Sequence, residues 1–376
     1  MKILLTGGGT GGHFYPLIAV ARALKNRAEA ERIVEMNLIF ASPSPFDETM
    51  LREEGITFIK TPAGKIRRYF SLLNILDPFK TVWGIVKAMF AIYLNFPDVV
   101  FSKGGHGSVP ALVAARVFGI PVLIHESDVV PGKVSAWSAK FARRIAVAFP
   151  QAAKYFPAEK VAYTGNPVRR EVIGGSEEEA AQIFNLEPGL KTTILVLGGS
   201  QGATPINDTF LDILPELVKT AQVIHQAGVK NLKETEGRAE VVLANSEFKR
   251  RYHPVAFLDE GALRNASKAA TLVVARASAG FLFELALWGR PAILIPLPHA
   301  AQDHQRENAY AYARAGAAVV LEEQNVTPHI LLAEIQKVLA NPDAMANMSK
   351  SAQLFAKADA AEKIADEIIQ LALEHS

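Results

Sequence analysis

The sequence predicts an α/β protein made of two similar doubly wound domains, each a parallel sheet with helices on both faces. Three observations lead there. Short continuous apolar runs, the pattern of strands covered on both faces, alternate with helical periodicity along the chain. A strand followed by glycines occurs twice. Ile3-Leu4-Leu5-Thr6-Gly7-Gly8-Gly9-Thr10-Gly11 aligns with Ile194-Leu195-Val196-Leu197-Gly198-Gly199-Ser200-Gln201-Gly202 at five of nine positions, 191 residues apart. The length of 376 residues is close to twice that offset and suits two domains of ordinary size.

Taken in order, the first half carries strands over 3–6, 37–41, 99–102 and 122–125, with a helix over 16–26 after the first glycine run. Gly165-Asn166-Pro167 is a turn-prone boundary, giving domains 1–165 and 166–350. The second half carries strands over 193–197, 222–225, 272–275 and 292–296, and helices over 280–288 and 308–315. A final helix over 351–376 could pack on either half by its pattern alone.

Composition removes several classes of function. There is no cysteine, so disulfides, thiolate-bound zinc, iron–sulfur clusters and thiol nucleophiles drop out. A net charge of +2 is unlike a protein that coats nucleic acid. Hydrophobic residues at 49% and charged residues at 21% indicate a folded globular chain. The first apolar run is too short for a signal-peptide core, and no uncharged apolar window is long enough to span a bilayer, so a cytoplasmic location is expected. Neither an Asp-x-Asp motif nor a metal-ligand spacing occurs, and neither metal nor cofactor is expected.

The motifs sit where ligands bind in such sheets, just beyond strand ends. Gly7 to Gly12 allow close backbone approach, and the following helix start offers N–H groups to an anion. The run contains a formal G-x-G-x-x-G. The acid that a nicotinamide ribose needs at the end of the second strand is missing, with Glu35 too early and Asp47 too late. His13, at the helix start, is either a general base or a packing histidine. Residues 101–108 form a second glycine turn, and His125-Glu126-Ser127-Asp128 a polar strand end, with Ser127 or Asp128 a possible helix cap. Gly198 to Gly202 repeats the first loop as a phosphate-binding turn. It also fits G-x-S-x-G, so a hydrolase using Ser200, Asp259 and His299 or His304 is an alternative. Glu284, in the helix after Arg276-Ala277-Ser278-Ala279-Gly280, suits a ribose diol, and Gln302 to Gln305 suit sugar hydroxyls. Residues 60–96 carry a local charge of +5 among aromatic and aliphatic side chains. That pattern fits either an interfacial membrane surface or core helices with basic outer faces.

The ordered set GGGTGGH (7–13), SKGG (102–105), HESD (125–128), GNPVR (165–169), GGSQGA (198–203), the Glu284 helix and DHQ (303–305) resembles the peptidoglycan GlcNAc transferase (MurG) family over nearly the whole chain. The resemblance implies a GT-B fold, two Rossmann-like doubly wound domains facing a cleft, with the C-terminal helix returning to the first. It implies inverting transfer of GlcNAc from UDP-GlcNAc to the 4-hydroxyl of undecaprenyl-diphospho-MurNAc-pentapeptide, on the inner face of the cytoplasmic membrane, with 66–96 toward the lipid. His13 becomes the leading base and Glu126 the second. Thr10, Gly11 and Gly12 are placed near the donor sugar and diphosphate, with Arg169 at the donor site and Ser200 on the diphosphate. The Leu258 backbone is placed at the uracil, Ala279, Gly280 and Glu284 around the nucleoside, and Gln305 on GlcNAc hydroxyls. Four positions depart from the common pattern. Ser127-Asp128 replaces Gln-Asn, leaving the contact of Asp128 open; Ser278 stands where glycine is usual; and His106 replaces an aromatic or aliphatic residue. The alternatives are a nucleotide-sugar enzyme of the same fold with another acceptor, a UDP-sugar epimerase, and a nucleotide sensor without turnover.

Overall fold

The computed structural model describes residues 1–33, 35–64, 73–199, 202–298 and 300–375. It divides into two compact units, Met1–Arg169 together with Lys357–Ser376, and Arg170–Ala356.

The first unit runs β1 (Lys2–Thr6), α1 (Gly11–Ala30), β2 (Asn37–Ser42), α2 (Glu48–Glu53), β3 (Thr57–Lys60), α3 (Leu73–Asn95), β4 (Val99–Ser102), α4 (Val109–Val117), β5 (Val122–Glu126), α5 (Lys133–Ser138), β6 (Arg144–Val147) and β7 (Val161–Tyr163). Among the described residues these strands make one seven-stranded sheet in the order β3-β2-β1-β4-β5-β6-β7, paired in parallel. Alternate residues of each strand face opposite layers. Ile3, Leu5, Phe40 and Phe101 pack with Leu17, Val20 and Leu24 of α1. Leu4, Ile39 and Val100 point the other way, onto Ile92 of α3 and Leu112 of α4. Both faces are covered, which is why the central strands read as unbroken apolar runs.

The second unit runs α6 (Glu177–Phe184), β8 (Thr193–Leu197), α7 (Thr204–Leu217), β9 (Gln222–Gln226), α8 (Leu232–Val242), β10 (Tyr252–Val255), α9 (Glu260–Ala269), β11 (Leu272–Ala275), α10 (Ala279–Trp288), β12 (Ala292–Leu294), α11 (His304–Arg314), β13 (Ala318–Val320), α12 (Pro328–Leu339) and α13 (Pro342–Phe355). Among the described residues its parallel sheet has six strands in the order β10-β9-β8-β11-β12-β13. In both units the chain order reverses beside the strand that precedes the glycine loop, β1 or β8, and this switch point is where such sheets bind ligands.

The last helix, α14 (Ala360–His375), belongs to the first unit, where Ile364, Ile368 and Leu371 join the α1 side of the core. Burial of each is worth roughly 1.5–3 kcal/mol. Arg27 to Asp366 at 2.6 Å and Arg144 to Glu367 at 2.7 Å add half-exposed ion pairs. One helix over 351–376, as read from sequence, is corrected to two. Ala356 is extended at φ −60°, ψ 143°, ending α13. Asp359 then accepts from the Lys363 N–H at 3.0 Å and pairs with its ammonium at 2.9 Å, starting the next helix. Sequence patterning also passes over β3, β6, β7, β10 and β13. Four of these are sheet edges of three or four residues, too short for a period, and Pro254 in β10 is tolerated because that strand is an edge.

Helix α3 is continuous, with Pro78 inside it. Its inner side carries Ala88 and Ile92, both buried. Gly84 lies so close to the preceding segment that a Cβ there would meet the Pro62 carbonyl oxygen at 1.7 Å. The opposite side exposes Phe79, Trp83, Val86, Phe90 and Tyr93, spaced three or four residues apart and each at least half exposed. Among the described residues, no helix is long and apolar enough to cross a membrane.

Candidate active site

In the first unit the glycine run after β1 turns directly into α1. Thr10 is the cap residue, extended at φ −128°, ψ 155°, and its carbonyl accepts from the N–H groups of His13 and Phe14, both at 3.0 Å. The Thr10 hydroxyl meets His13 Nδ1 at 2.9 Å, fixing the imidazole against the first helical turn. The ring rests on glycine backbone. A Cβ at Gly8 would stand 3.0 Å from Nδ1, and one at Gly105 would stand 3.1 Å from Nε2. Gly9, Thr10 and Gly12 are exposed, and a side chain at Gly12 would meet nothing within 4 Å. Backbone is thus open to a ligand beside a histidine whose two ring edges face glycines.

Lys103, which follows β4, is 3% exposed. Its ammonium reaches His125 Nδ1 at 2.5 Å, Ser127 Oγ at 2.5 Å and Asn166 Oδ1 at 3.1 Å. His125 Nε2 lies 2.9 Å from the Gly165 carbonyl, which can only accept. The imidazole is therefore the Nε2–H tautomer, and Nδ1 accepts from Lys103. Burial, then the neighbouring Lys103, hold His125 well below the usual histidine range. Burial also brings the Lys103 ammonium down to about 7, against the upward pull of Glu126 and Asp128. The Glu126 carboxyl is raised, by burial first and then by Asp128. Its two oxygens accept from the Asp128 N–H and the Gly132 N–H, each at 3.0 Å. Residues 127–132 are wrapped around this carboxylate and do not form a helix. The cap expected at Ser127 or Asp128 is corrected accordingly: α5 starts only at Lys133, with Gly132 in the cap position. Arg169 is 8% exposed, and its guanidinium stacks 3.8 Å from the ring centre of Tyr15 in α1.

The second unit repeats the arrangement after β8. Gly199 and Gly202 have φ of +90° and +75°. A Cβ at Gly202 would lie 2.1 Å from the Ala227 carbonyl oxygen, so only glycine fits there. Ser200 lies outside the described residues, as does Gln201. Gln226, at the end of β9, bridges two segments. Its amide nitrogen donates to the Gly199 carbonyl and its oxygen accepts from the Leu258 N–H, both at 3.0 Å. Ala279 opens α10 after Ser278, with Glu284 half-buried farther along that helix. Arg276 pairs with Glu323 and donates to the carbonyls of Ile295 at 3.1 Å and Pro296 at 3.3 Å, which shapes the end of β12. Gln302 and Asp303 both have φ of +56°, a left-handed pair of non-glycine residues leading into α11. Such strain concentrates at binding sites. Gln305 accepts from the Leu297 N–H at 3.0 Å. Among the described residues, no group of three or more histidine or acidic side chains could hold a metal ion.

Both units match a known transferase family. Residues 3–147 match the glycosyltransferase family 28 N-terminal domain, and residues 193–364 its C-terminal domain. The chain is 37% identical to UDP-N-acetylglucosamine–N-acetylmuramyl-(pentapeptide) pyrophosphoryl-undecaprenol N-acetylglucosamine transferase 2 of Bacillus cereus, over 90% of this chain and 92% of that protein. It is 35% identical to the Treponema denticola transferase of the same name, over 97% and 96%. The chain belongs to this transferase family. A crystal structure of Acinetobacter baumannii MurG superposes with a TM-score of 0.74 at 28% identity, covering 98% of this chain and 99% of that one. The transferase therefore has the GT-B fold. A Neisseria meningitidis UDP-GlcNAc 2-epimerase bound to UDP-GlcNAc shares that fold alone, with a TM-score of 0.70 at 15% identity, 98% of this chain and all of that chain being covered.

Within the transferase, the structure brings Thr10, Gly11, Gly12 and His13 together at one helix start. Glu126 and Asp128 lie together at the end of β5. Leu258, Ala279, Gly280, Glu284 and Gln305 follow strands or lie on helices of the second unit, and Arg169 is the last residue grouped with the first. Tyr15, Gln226 and Glu323 escaped the sequence reading of the site, and Lys103 and Arg276 stood in its motifs without an assigned role. Nothing local in the sequence shows that three acceptors converge on Lys103. Gln226 carried a fainter signal, a polar residue closing an apolar strand.

Proposed function

We propose that this transferase moves GlcNAc from UDP-GlcNAc to the 4-hydroxyl of the MurNAc unit in undecaprenyl-diphospho-MurNAc-pentapeptide, with inversion at the anomeric carbon. The observation that carries the mechanism is the His13 imidazole, held through Nδ1 by Thr10 at a helix start beside exposed glycine backbone. With Nδ1–H donating to the Thr10 hydroxyl, Nε2 carries the lone pair. It takes the proton of the acceptor hydroxyl as that oxygen bonds the anomeric carbon and the bond to UDP breaks. Glu126 gives both oxygens to backbone N–H groups, which favours His13 as the base and gives Glu126 the task of shaping the 127–132 loop.

In this reading the donor is held by residues 166–350. The N–H groups that open α7 and α10, with Ser200 and Arg169, receive the charge developing on the diphosphate. Gln226 occupies the Leu258 N–H, so the Leu258 carbonyl is the acceptor offered to the uracil N–H. Glu284 takes the ribose diol, and Gln305 uses its amide nitrogen on GlcNAc because its oxygen serves Leu297. Ala279 and Gly280 give the nucleoside close access to backbone. The first domain, 1–165 with the returning α14, takes the acceptor and meets the inner face of the cytoplasmic membrane. The exposed apolar side of α3, flanked by Lys80 and Lys87, is the contact surface. UDP release assayed with and without a lipid-linked MurNAc-pentapeptide analogue tests the proposal. Release that requires the acceptor supports it. Acceptor-independent conversion of UDP-GlcNAc into its 2-epimer contradicts it.

A further inference from the structure

Burial penalises the Lys103 ammonium, yet each of its donors is bonded. Its three donors have three acceptors on two segments: His125 at the end of β5 with Ser127 just beyond it, and Asn166 after β7. The acceptors are linked in turn. The Ser127 hydroxyl donates to Asn166 Oδ1 at 3.2 Å, and the Asn166 amide donates to the Pro167 carbonyl at 3.1 Å. The Lys103 N–H is itself fixed to the Thr6 carbonyl at 2.9 Å, at the foot of the first glycine loop. The turn that follows is held at both ends. Gly104 N–H donates to Ser102 Oγ at 3.1 Å, and Ser108 Oγ donates to the Gly105 carbonyl at 2.8 Å. Gly105, at φ +77°, ψ 159°, then lies against the Nε2 edge of His13. A methionine of similar length would fill the same space, so what the ammonium adds is the tie between segments and a positive charge beside Glu126 and Asp128.

Resting on the transfer reaction proposed above, we propose that Lys103 is a positioning residue: its ammonium binds the ends of β4, β5 and β7 into one unit and thereby seats the Gly105 turn against His13. The titratable groups around it are His125 and Glu126 at the end of β5, Asp128 in the following loop, and His13 across the Gly105 turn. Removing the cation takes away a positive charge that acts on both Glu126 and Asp128. Protonation of Glu126 then unfastens the 127–132 loop at a higher pH than in the wild type.

The test compares the wild type with Lys103→Met and Ser127→Ala in two readouts. The first is the pH profile of kcat, with KM for UDP-GlcNAc, using a lipid-linked MurNAc-pentapeptide analogue. The second, which needs no turnover, is amide hydrogen exchange at Gly104 and Ser108. Lys103→Met is expected to lower kcat about 100-fold, the loss that an ångström-scale misplacement produces. The acid limb should move to higher pH, donor KM should stay within about twofold, and the two amides should exchange at least about tenfold faster. Ser127→Ala keeps the ammonium and loses one acceptor; a roughly tenfold fall in kcat is expected, and this variant carries the test if Lys103→Met does not fold. Unchanged exchange at both amides overturns the inference, as does a loss of kcat that is uniform with pH and matched by a rise in donor KM. Absence of wild-type turnover counts against the reaction proposed above, and the exchange readout still decides the role of Lys103.

Discussion

Replacing Gly105 with alanine isolates the contact between the second glycine turn and the histidine. Two costs can be worked from the structure. At φ +77°, ψ 159° the backbone lies in a region kept almost wholly for glycine, worth about 1–3 kcal/mol to any other residue. The new Cβ would also stand 3.1 Å from Gly8 Cα and 3.1 Å from His13 Nε2, closer than side chains ordinarily pack, so the imidazole or the Gly8 backbone must yield by tenths of an ångström. The first unit should lose about 2–12 °C in Tm from the strain. Turnover with the lipid-linked acceptor should fall roughly 10- to 100-fold as the base leaves its position, while donor KM stays unchanged. Gly119→Ala is the control. It too has positive φ, +71°, but nothing lies within 4 Å of its Cβ. It should cost some stability through its backbone alone, with kcat unaltered. Equal kcat for Gly105→Ala and wild type, or equal losses in both variants, would refute the reasoning.

Gln226→Leu removes the bridge between the Gly199 carbonyl and the Leu258 N–H. Two hydrogen bonds at about 1 kcal/mol each, partly replaced by water, should raise KM for UDP-GlcNAc about tenfold with kcat at saturation within twofold, and calorimetry with UDP should show the same loss. Stability should carry a signature of Lys103. Between its folded value of about 7 and the ordinary 10.5, the unfolded chain holds a proton that the folded chain has released. The contribution of this group to stability therefore rises with pH across that window, by at most about 1.4 kcal/mol per pH unit. Urea unfolding of the first unit between pH 7 and 9 should show a slope that Lys103→Met flattens; identical slopes would count against a perturbed ammonium. Trp83→Glu combined with Phe90→Glu on the exposed side of α3 should abolish sedimentation with anionic vesicles and leave turnover of a short-chain, detergent-soluble acceptor intact. Vesicle binding equal to wild type would place the membrane contact elsewhere.

Much of the molecule was legible because its signals are local. The buried strands β1, β4, β8 and β11 announce themselves as apolar runs, and the glycines after β8 report a backbone need at Gly199 and Gly202, both at positive φ. The edge strands stayed hidden because three or four residues pairing on one side carry little pattern of their own. The 60–96 stretch was ambiguous in sequence, since a helix with exposed aromatics and one with buried aromatics can share a composition. The contacts of Ala88, Ile92 and Gly84 establish which side faces the core. Lys103 shows the remaining limit. Its role depends on the His125–Ser127 strand end and Asn166 arriving from separate parts of the chain, and that convergence belongs to topology.

The most direct test of the central claim is the stereochemistry and linkage of the product. UDP-GlcNAc labelled at the anomeric carbon, incubated with the lipid-linked MurNAc-pentapeptide analogue and the wild-type chain, should give by NMR a single β-linked GlcNAc on the MurNAc 4-hydroxyl. His13→Ala should bind UDP-GlcNAc as tightly as wild type and form that product about 100- to 10,000-fold more slowly, the range expected for loss of a general base. An α-linked product, a label recovered only in a 2-epimer, or an undiminished rate for His13→Ala would contradict the account.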